Sequence, residues 1–317
     1  MNVLLTGASG FIGRALFARL AADTMVHVSL AQRCPAAAEV PVHCIDGLTA
    51  EQDWQPAVVG VEVVVHLAAR VHVMNEMASD PAAAFHEANV VATLNLARQA
   101  AAAGVRRFIY LSSIKVNGEQ TASGRAFSAD DQPAPQDAYG RSKLAAESAL
   151  QLLARETGME LVIIRPPLVY GPGVRANVER LMALLARGMP LPFGALHNAR
   201  SLVARDNLVD LICCCLAHPA AAGQVLLVSD GEDLSTATLC RALSQGMGIR
   251  PRLLPVPAGL LVALGRCLGK GAQLQRLTGN LQVDIGKTRQ LLGWEPIIGS
   301  HQALRETARW FKEQGRA

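Results

Sequence analysis

Short hydrophobic runs alternate with longer amphipathic stretches through the first half of the chain. Continuous apolar segments at Val3-Leu4-Leu5, Val61 to Leu67 and Phe108 to Leu111 predict strands buried on both faces. Between and after them, Pro81 to Ala103 and Ala138 to Thr157 predict helices. Weaker patterns predict a helix at 11–20 and strands at 26–30, 42–44 and 161–164. Strands that alternate with helices in this order indicate an α/β fold with a doubly wound parallel sheet of the Rossmann type.

The pattern changes after Pro166-Pro167, where Gly and Pro become frequent and the helices shorter, with one late strand at Val225 to Val228. We therefore predict two unequal lobes. Residues 1–168 form a dinucleotide-binding domain with a returning segment near 200–230, and residues 169–317 form a smaller, mainly substrate-binding lobe. The polar segment Asn117 to Gln136 is predicted to be a surface loop beside the site, because long loops in compact domains are often functional.

Composition excludes several classes of protein. Half of the 317 residues are hydrophobic and 18% are charged, which argues against disorder. The net charge of +4 is scattered, so we expect no nucleic-acid partner. No signal-peptide pattern opens the chain, and no segment reaches the roughly 18 apolar residues of a membrane span. The seven cysteines lack metal-like or redox-like spacing, which predicts no metal and a cytoplasmic location.

A glycine-rich segment follows the first predicted strand and opens the first helix. Gly7-Ala8-Ser9-Gly10-Phe11-Ile12-Gly13 has the spacing GxxGxxG. Glycines there let the backbone turn tightly and approach a pyrophosphate, and the helix N-terminus offers free N–H groups. We predict that this segment binds a dinucleotide, the alternative being a purely structural turn. The residues assigned to the cofactor are Gly7, Ser9, Gly10, Phe11, Ile12 and Gly13.

The end of the second predicted strand bears on the choice of cofactor. A carboxylate at this place binds the adenosine ribose and favours NAD. Here the segment ends in Gln32-Arg33, without an acid, and Arg33 can pair with a 2′-phosphate. This favours NADP(H), while NAD(H) remains the alternative if Arg33 is only solvated.

Tyr139 and Lys143 form a YxxxK motif near the start of a predicted helix. Residues four apart share one helical face, so the phenol and the ammonium can point into one site. The predicted strand before them ends in Ser112-Ser113, and ligands of parallel sheets bind outside the carboxyl ends of strands. The motif is informative because the chain contains only three Tyr and five Lys. We predict that Lys143 lowers the pKa of Tyr139, together with an oxidised nicotinamide, and that Tyr139 serves as acid and base.

With these motifs the chain resembles the extended short-chain dehydrogenase/reductases, which include UDP-galactose 4-epimerase and nucleotide-sugar dehydratases and reductases. The matching pieces, spread over nearly the full length, are 6–13, 66–69, Asn89, 112–113, 139–143, 165–172 and 292–296. The resemblance implies a catalytic triad of Ser113, Tyr139 and Lys143, a supporting Asn89, a UDP-sugar substrate and a homodimer. It also assigns to the cofactor site Leu67, Ala68, Ala69, Asn89, Tyr139, Lys143 and Pro166.

A departure from the family pattern narrows the set of possible reactions. The dehydratases of the family carry an Asp-Glu pair where this chain has Ile114 and Lys115, so we do not expect dehydration. Lys115 either faces the substrate or is an exposed loop lysine. The resemblance also implies, less firmly, substrate contacts from Asn177, Arg200 and Arg276.

Three functions stay open from the sequence. The segments 112–118 and 165–174 look most like 4-ketoreductases of bacterial surface-polysaccharide pathways, which handle UDP-4-keto-6-deoxy-N-acetylglucosamine. This NAD(P)H-dependent reductase is the leading expectation, because the missing acid before Arg33 fits an exchangeable cofactor. A UDP-hexose or UDP-N-acetylhexosamine 4-epimerase is the alternative. A non-catalytic dinucleotide-binding regulator is a remote third, since fold does not fix function.

Overall fold

A seven-stranded parallel sheet forms the centre of the molecule. The computed structural model describes residues 1–33, 40–71, 80–267 and 271–315. The strands stand in the order β3-β2-β1-β4-β5-β6-β9, which confirms the predicted doubly wound sheet. Their bounds are β1 Asn2–Thr6, β2 His27–Gln32, β3 Val42–Cys44, β4 Val63–His66, β5 Arg107–Leu111, β6 Glu160–Arg165 and β9 Val225–Leu227.

Helices cover both faces of this sheet, as the unbroken apolar strands require. Successive side chains of a strand point to opposite faces. Leu5 accordingly packs in the core cluster that contains Leu16 of α1 (Phe11–Ala21) and Leu208 of α7 (Arg205–Ala217). Leu4 packs in the opposite cluster, with α2 (Gln55–Val58), α4 (Ala92–Ala102) and α5 (Ala138–Thr157), where Leu150 lies.

The second half of the chain builds a smaller layer and also completes the main sheet. Three short strands, β7 (Leu168–Tyr170), β8 (Arg200–Ala204) and β10 (Asp233–Leu234), form a second sheet. Sequence inspection missed all three, because two to five residues carry too little periodicity. The late strand β9 joins the main sheet beside β6. The remaining helices are α6 Asn177–Ala186, α8 Thr236–Met247, α9 Ala258–Cys267, α10 Gly271–Thr278, α11 Gly286–Leu292 and α12 Ser300–Glu313.

The long helix predicted at Pro81 to Ala103 is interrupted. Asp80 caps α3 (Pro81–His86), a single π-helical turn follows at Glu87–Val91, and α4 continues the rod. A π-turn inserts one residue into the helical repeat and is often found at functional sites. Here it carries the buried Asn89, so the break belongs to the site described below.

The segment Asn117 to Gln136, predicted as a surface loop, is tied to the C-terminal half at its centre. Phe127 forms an isolated parallel bridge with Val283, and its N–H donates to the carbonyl of Gln282 over 2.8 Å. Asn117 is buried and accepts a hydrogen bond of 3.0 Å from Arg165. The start of this segment is therefore part of the core rather than of the surface.

A buried polar network joins α5 to the carboxyl ends of β5 and β6. The carboxylate of Glu147 accepts hydrogen bonds from Arg165 over 2.5 and 3.0 Å, and from the hydroxyl of Ser112. Both side chains of the ion pair are at most 5% exposed. Helix α5 is capped at both ends. Asp137 accepts a hydrogen bond from the N–H of Gly140 at its start, and Gly158 takes a left-handed conformation at its end.

Two further structural findings concern membrane spans and metal sites. Within the described ranges, no helix is long and apolar enough to cross a bilayer. Among the same residues, no three or more His, Cys, Asp or Glu are grouped so that they could hold a metal ion. The consecutive Cys213, Cys214 and Cys215 are free thiols on α7, with Cys215 buried.

The buried ion pair predicts a large stability loss on truncation. Glu147→Ala leaves the Arg165 guanidinium buried without its carboxylate, and breaking such a pair costs roughly 3–5 kcal/mol. Glu156→Ala on the same helix is the matched control, because Glu156 is exposed and surface changes usually stay within about 0.5 kcal/mol. Urea unfolding of both variants measures the difference. Equal midpoints for the two would show that the network does not stabilise the fold.

Candidate active site

The predicted phosphate loop lies at the N-terminus of α1, where it approaches the segment after β4. Gly7 has a φ of +76°, and a Cβ placed on it would lie 2.7 Å from the backbone nitrogen of Ala68. A Cβ on Gly13 would lie 2.1 Å from the carbonyl oxygen of Gly7. Both positions therefore require glycine. The close approach also brings Leu67 and Ala68, assigned to the cofactor from sequence, beside the loop, and Ala69 follows them in the chain.

The same loop fits the phosphates of a dinucleotide. Gly10 caps α1 without a side-chain hydrogen bond, and the first turn contains no acidic residue. A helix start of this kind presents backbone N–H groups and a partial positive charge to an anion. Gly7, Gly10 and Gly13 would hold the pyrophosphate, with Ser9, Phe11 and Ile12 around it.

At the end of β2, the structure adds little to the choice between the two nicotinamide cofactors. Ala31 is buried, Gln32 is half-buried and Arg33 is exposed. The residues that follow, 34–39, lie outside the described part of the chain. Arg33 as a partner for a 2′-phosphate accordingly stays a prediction.

The predicted catalytic residues come together where β5 meets α5. Ser113 follows β5 and caps a short 3₁₀ turn, with its hydroxyl accepting from the N–H of Lys115 over 3.3 Å. A Cβ on Gly140 would lie 2.9 Å from the carbonyl oxygen of Lys115, so a glycine beside Tyr139 lets α5 approach this turn. The Lys143 ammonium donates to the carbonyl oxygen of Leu111 over 2.9 Å. Its Nζ lies 5.9 Å from the centre of the Tyr139 ring.

The electrostatics differ from the sequence-based expectation. Burial, and then the Asp137 carboxylate, raise the pKa of Tyr139 above its usual value of 10.0. Burial lowers the pKa of Lys143 to about 7, against the opposing effect of the Glu147 carboxylate. In the side chains alone, burial therefore outweighs any lowering of the Tyr139 pKa by Lys143, and the combined effect of Lys143 and an oxidised nicotinamide stays a prediction. Removing water from both groups outweighs their mutual attraction.

The side-chain amide of Asn89 links three segments by hydrogen bonds. The resemblance implies a supporting role for Asn89 in the site. Its side-chain amide accepts from the N–H of Arg70 over 2.8 Å and donates to the carbonyl of Arg70 over 3.0 Å. It also donates to the hydroxyl of Ser142 over 3.0 Å, which in turn donates to the carbonyl of Tyr139 over 2.8 Å. Asn89 thus fixes the backbone of the tyrosine.

Lys115 does not lie exposed in a loop. Its ammonium donates to the carboxylate of Asp137 and lies 3.6 Å from Glu119, and one quarter of its side chain is exposed. The Nζ of Lys115 is 5.9 Å from the centre of the Tyr139 ring. The lysine is therefore at the site, but as part of an ion pair with the residue that caps α5. Its contact with substrate stays a prediction.

The other predicted substrate residues, Arg200, Asn177 and Arg276, lie in the second half of the chain. Arg200 begins β8 and donates to the carbonyl of Gly279 over 3.1 Å, and burial lowers its pKa. Asn177 is exposed at the start of α6. The side chain of Arg276 lies outside the described part of the structure. Pro166 is at the site, because its carbonyl accepts from the N–H of Ile114 over 2.9 Å.

Sequence inspection missed aromatic and acidic neighbours of the catalytic pair. The Phe85 ring meets the Tyr139 ring edge-on at 6.0 Å, and the Tyr110 ring lies 4.6 Å from the Lys143 ammonium. Asp137 could have been found as an N-cap, since it stands directly before the helix that starts at Ala138. Phe85 and Tyr110 had no signal beyond apolar patterning.

A glycine loop at a helix start, with a buried Tyr-Lys pair on α5 beside the carboxyl end of β5, is the arrangement expected of a nicotinamide-dependent enzyme. The NAD dependent epimerase/dehydratase family model matches residues 3–228, and the chain belongs to this family.

Relatives across the family agree with this assignment. The chain is 45% identical over 318 residues to a UDP-glucose 4-epimerase of Vibrio cholerae, covering 98% of this chain and 95% of the relative. It is 28% identical to a GDP-6-deoxy-D-mannose reductase of Pseudomonas aeruginosa, covering 96% and 95% of the two chains. The crystal structure of UDP-glucuronic acid 4-epimerase from Bacillus cereus with UDP-glucuronic acid and NAD has the same fold. Its TM-score is 0.80 at 22% identity, over 99% of this chain and 100% of that one.

The loop geometry predicts that one added methyl group weakens cofactor binding. Gly13→Ala would force the Gly7 carbonyl to move, and we expect the affinity for NAD⁺ to fall by tenfold or more, on the order of 1.4 kcal/mol. Gly259→Ala is the matched control, because nothing lies within 4 Å of its Cβ. Calorimetric titration measures both. Unchanged affinity in Gly13→Ala would remove the loop from the cofactor site.

The Lys115–Asp137 pair predicts opposite changes in pH dependence. In Lys115→Met the Asp137 charge is uncompensated and raises the pKa of Tyr139 further, so the limb on which activity rises with pH moves to higher pH. Asp137→Asn keeps a helix cap but removes the charge, so the limb moves to lower pH. When Asp137→Asn is already present, adding Lys115→Met should shift the limb less than Lys115→Met shifts it alone. Additive shifts would show that the two residues act independently.

Proposed function

We propose that the protein is a 4-epimerase of a UDP-sugar, either a UDP-hexose or a UDP-N-acetylhexosamine. The observation that carries the proposal is the 45% identity, over 98% of this chain, to a UDP-glucose 4-epimerase. The structural neighbour with UDP-glucuronic acid and NAD adds support for the substrate class and the cofactor. The comparisons therefore favour the epimerase over the reductase expected from sequence. They also favour NAD over NADP, because the family is NAD dependent.

The side chains of the site have the chemistry that this reaction needs. When bound, a nicotinamide would supply a reversible hydride acceptor for C4 of the sugar. Tyr139 takes the proton of the C4 hydroxyl and gives it back to the keto oxygen after the sugar has turned. Ser113 donates a hydrogen bond to that oxygen, and Lys143 stabilises the phenolate. Residues 169–317 hold the nucleotide, with Asn177 and Arg200 as candidate contacts.

A 4-ketoreductase for a UDP-4-keto-6-deoxy-N-acetylhexosamine is the second candidate. The specific observation in its favour is the end of β2, where Gln32 and Arg33 replace the acid that binds the adenosine ribose of NAD. The relative from Pseudomonas aeruginosa, itself a nucleotide-sugar reductase, is in keeping with it. A reductase releases its oxidised cofactor after each turnover, whereas an epimerase regenerates it.

Parallel assays with two kinds of substrate separate these functions. We expect the NAD⁺-loaded protein to convert UDP-glucose or UDP-N-acetylglucosamine into the C4 epimer, observed by proton NMR, without net change in NADH absorbance. Consumption of NADPH or NADH only with UDP-4-keto-6-deoxy-N-acetylglucosamine would overturn the epimerase in favour of the reductase.

The assay has a control in the tyrosine itself. Tyr139→Phe removes the general acid–base group and should lower kcat by about 10²–10⁴. A Tyr139→Phe protein that turned over as fast as the wild type would exclude both candidate reactions at this site.

A further inference from the structure

The Lys143 ammonium is enclosed without a carboxylate of its own. Lys143 is 2% exposed, and its nearest hydrogen-bond acceptor is the Leu111 carbonyl at 2.9 Å. Glu147 stands one helical turn further along α5, but its oxygens accept from Arg165 and Ser112. A buried ammonium without a direct counter-charge needs other electron-rich partners.

Such a partner lies directly beneath it. The Nζ of Lys143 is 4.6 Å from the centre of the Tyr110 ring, and an aromatic face within about 6 Å attracts a cation. Tyr110 is fully buried in β5. Among the described residues, its hydroxyl has no hydrogen-bond partner, so the phenol oxygen anchors nothing. The contribution of Tyr110 to Lys143 therefore comes from the ring face.

An uncharged histidine, His66, lies beside the Tyr110 ring on the neighbouring strand β4. The His66 ring stacks on the Tyr110 ring at 6.0 Å, with 14° between the planes. The two ring nitrogens of His66 bond the hydroxyls of Thr6 and Thr93 over 2.7 and 3.0 Å. Burial, and then the nearby Lys143, lower the pKa of His66 to about 3, so it adds no second positive charge. The stack presents one cation to one electron-rich face.

We propose that Tyr110 is a positioning residue for the catalytic lysine, holding the Lys143 ammonium over its ring face by a cation–π interaction. The Leu111 carbonyl and the ring fix the ammonium from two sides, leaving its remaining hydrogen for the active site. The proposal deepens the proposed function, since Lys143 serves the same site. The groups that face Lys143 are Tyr139 and Glu147 on α5, Tyr110 on β5, His66 on β4 and, through Glu147, Arg165 on β6.

The inference can be tested on the lysine directly, without any sugar. The chain has five Lys, so ¹³C-lysine labelling gives five Cε signals whose shifts report each ammonium as the pH is raised. Lys143→Arg assigns the relevant signal by removing it. Tyr110→Phe is the matched control, because it keeps the ring and deletes only the unpartnered hydroxyl. We expect its Lys143 titration midpoint to match that of the wild type.

Weakening the ring face should release the proton earlier. With trifluorophenylalanine at position 110, which keeps the shape of Phe but weakens the negative face, we expect the midpoint to fall below that of Tyr110→Phe. In Tyr110→Leu we expect a fall of about one pH unit. The fluorinated residue decides the matter if Tyr110→Leu does not fold. Equal midpoints for the fluorinated and Phe variants would overturn the proposal, as would a full fall already in Tyr110→Phe.

This readout separates the inference from the proposed function. The titration is measured in the protein without substrate, so a failed epimerase assay leaves it valid. If the protein is an active epimerase but the Lys143 titration midpoint is the same in all Tyr110 variants, only the cation–π role of Tyr110 is overturned. In the active enzyme we expect the pH optimum of kcat to follow the lysine midpoint, with KM for the sugar unchanged.

Discussion

The ion pair between Glu147 and Arg165 connects the elements on which the site depends. It is buried between α5 and the sheet, and its partners come from the end of β5 and from the segment after the short 3₁₀ turn. Each charge is costly to bury alone, so the elements that carry them are held in one arrangement. Ser113 follows Ser112 in the chain, Pro166 follows Arg165, and Lys143 stands one turn before Glu147. The position of every predicted catalytic group therefore depends on this pair.

The site handles its charges in two different ways. Lys115 is paired directly with the Asp137 carboxylate at the start of α5. Lys143 is held by a carbonyl and an aromatic face, while the nearest carboxylate is occupied elsewhere. A cation without a tight counter-ion keeps more of its field for a developing phenolate, because its attraction is not already satisfied. The lowered pKa of Lys143 is the corresponding cost of burial.

The sequence predicted the catalytic pair and the phosphate loop because each is local. Tyr139 and Lys143 share a helix whose observed bounds equal the predicted ones, since Asp137 and Gly158 mark its ends. The Glu147–Arg165 pair could not be predicted, because its members lie on different elements and a helical Glu is usually solvated. The π-turn at Asn89 left no pattern either. It inserts one extra residue into the helical repeat. The contacts of Asn89 with Arg70 and Ser142, which lie far away in the chain, are visible only in the folded structure.

The place of β9 in the sheet has a consequence for how the chain is made. Residues 1–168 emerge from the ribosome first, yet β6 then has an unpaired outer edge, because its neighbour β9 begins only at Val225. The face of the sheet that packs against α1 is also incomplete until α7 has been made. The buried Arg107 likewise lacks one acceptor, the carbonyl of Cys215, until then. An open strand edge is a template for aggregation. The main sheet and its α1 face are thus completed only after β9 and α7 have been synthesised.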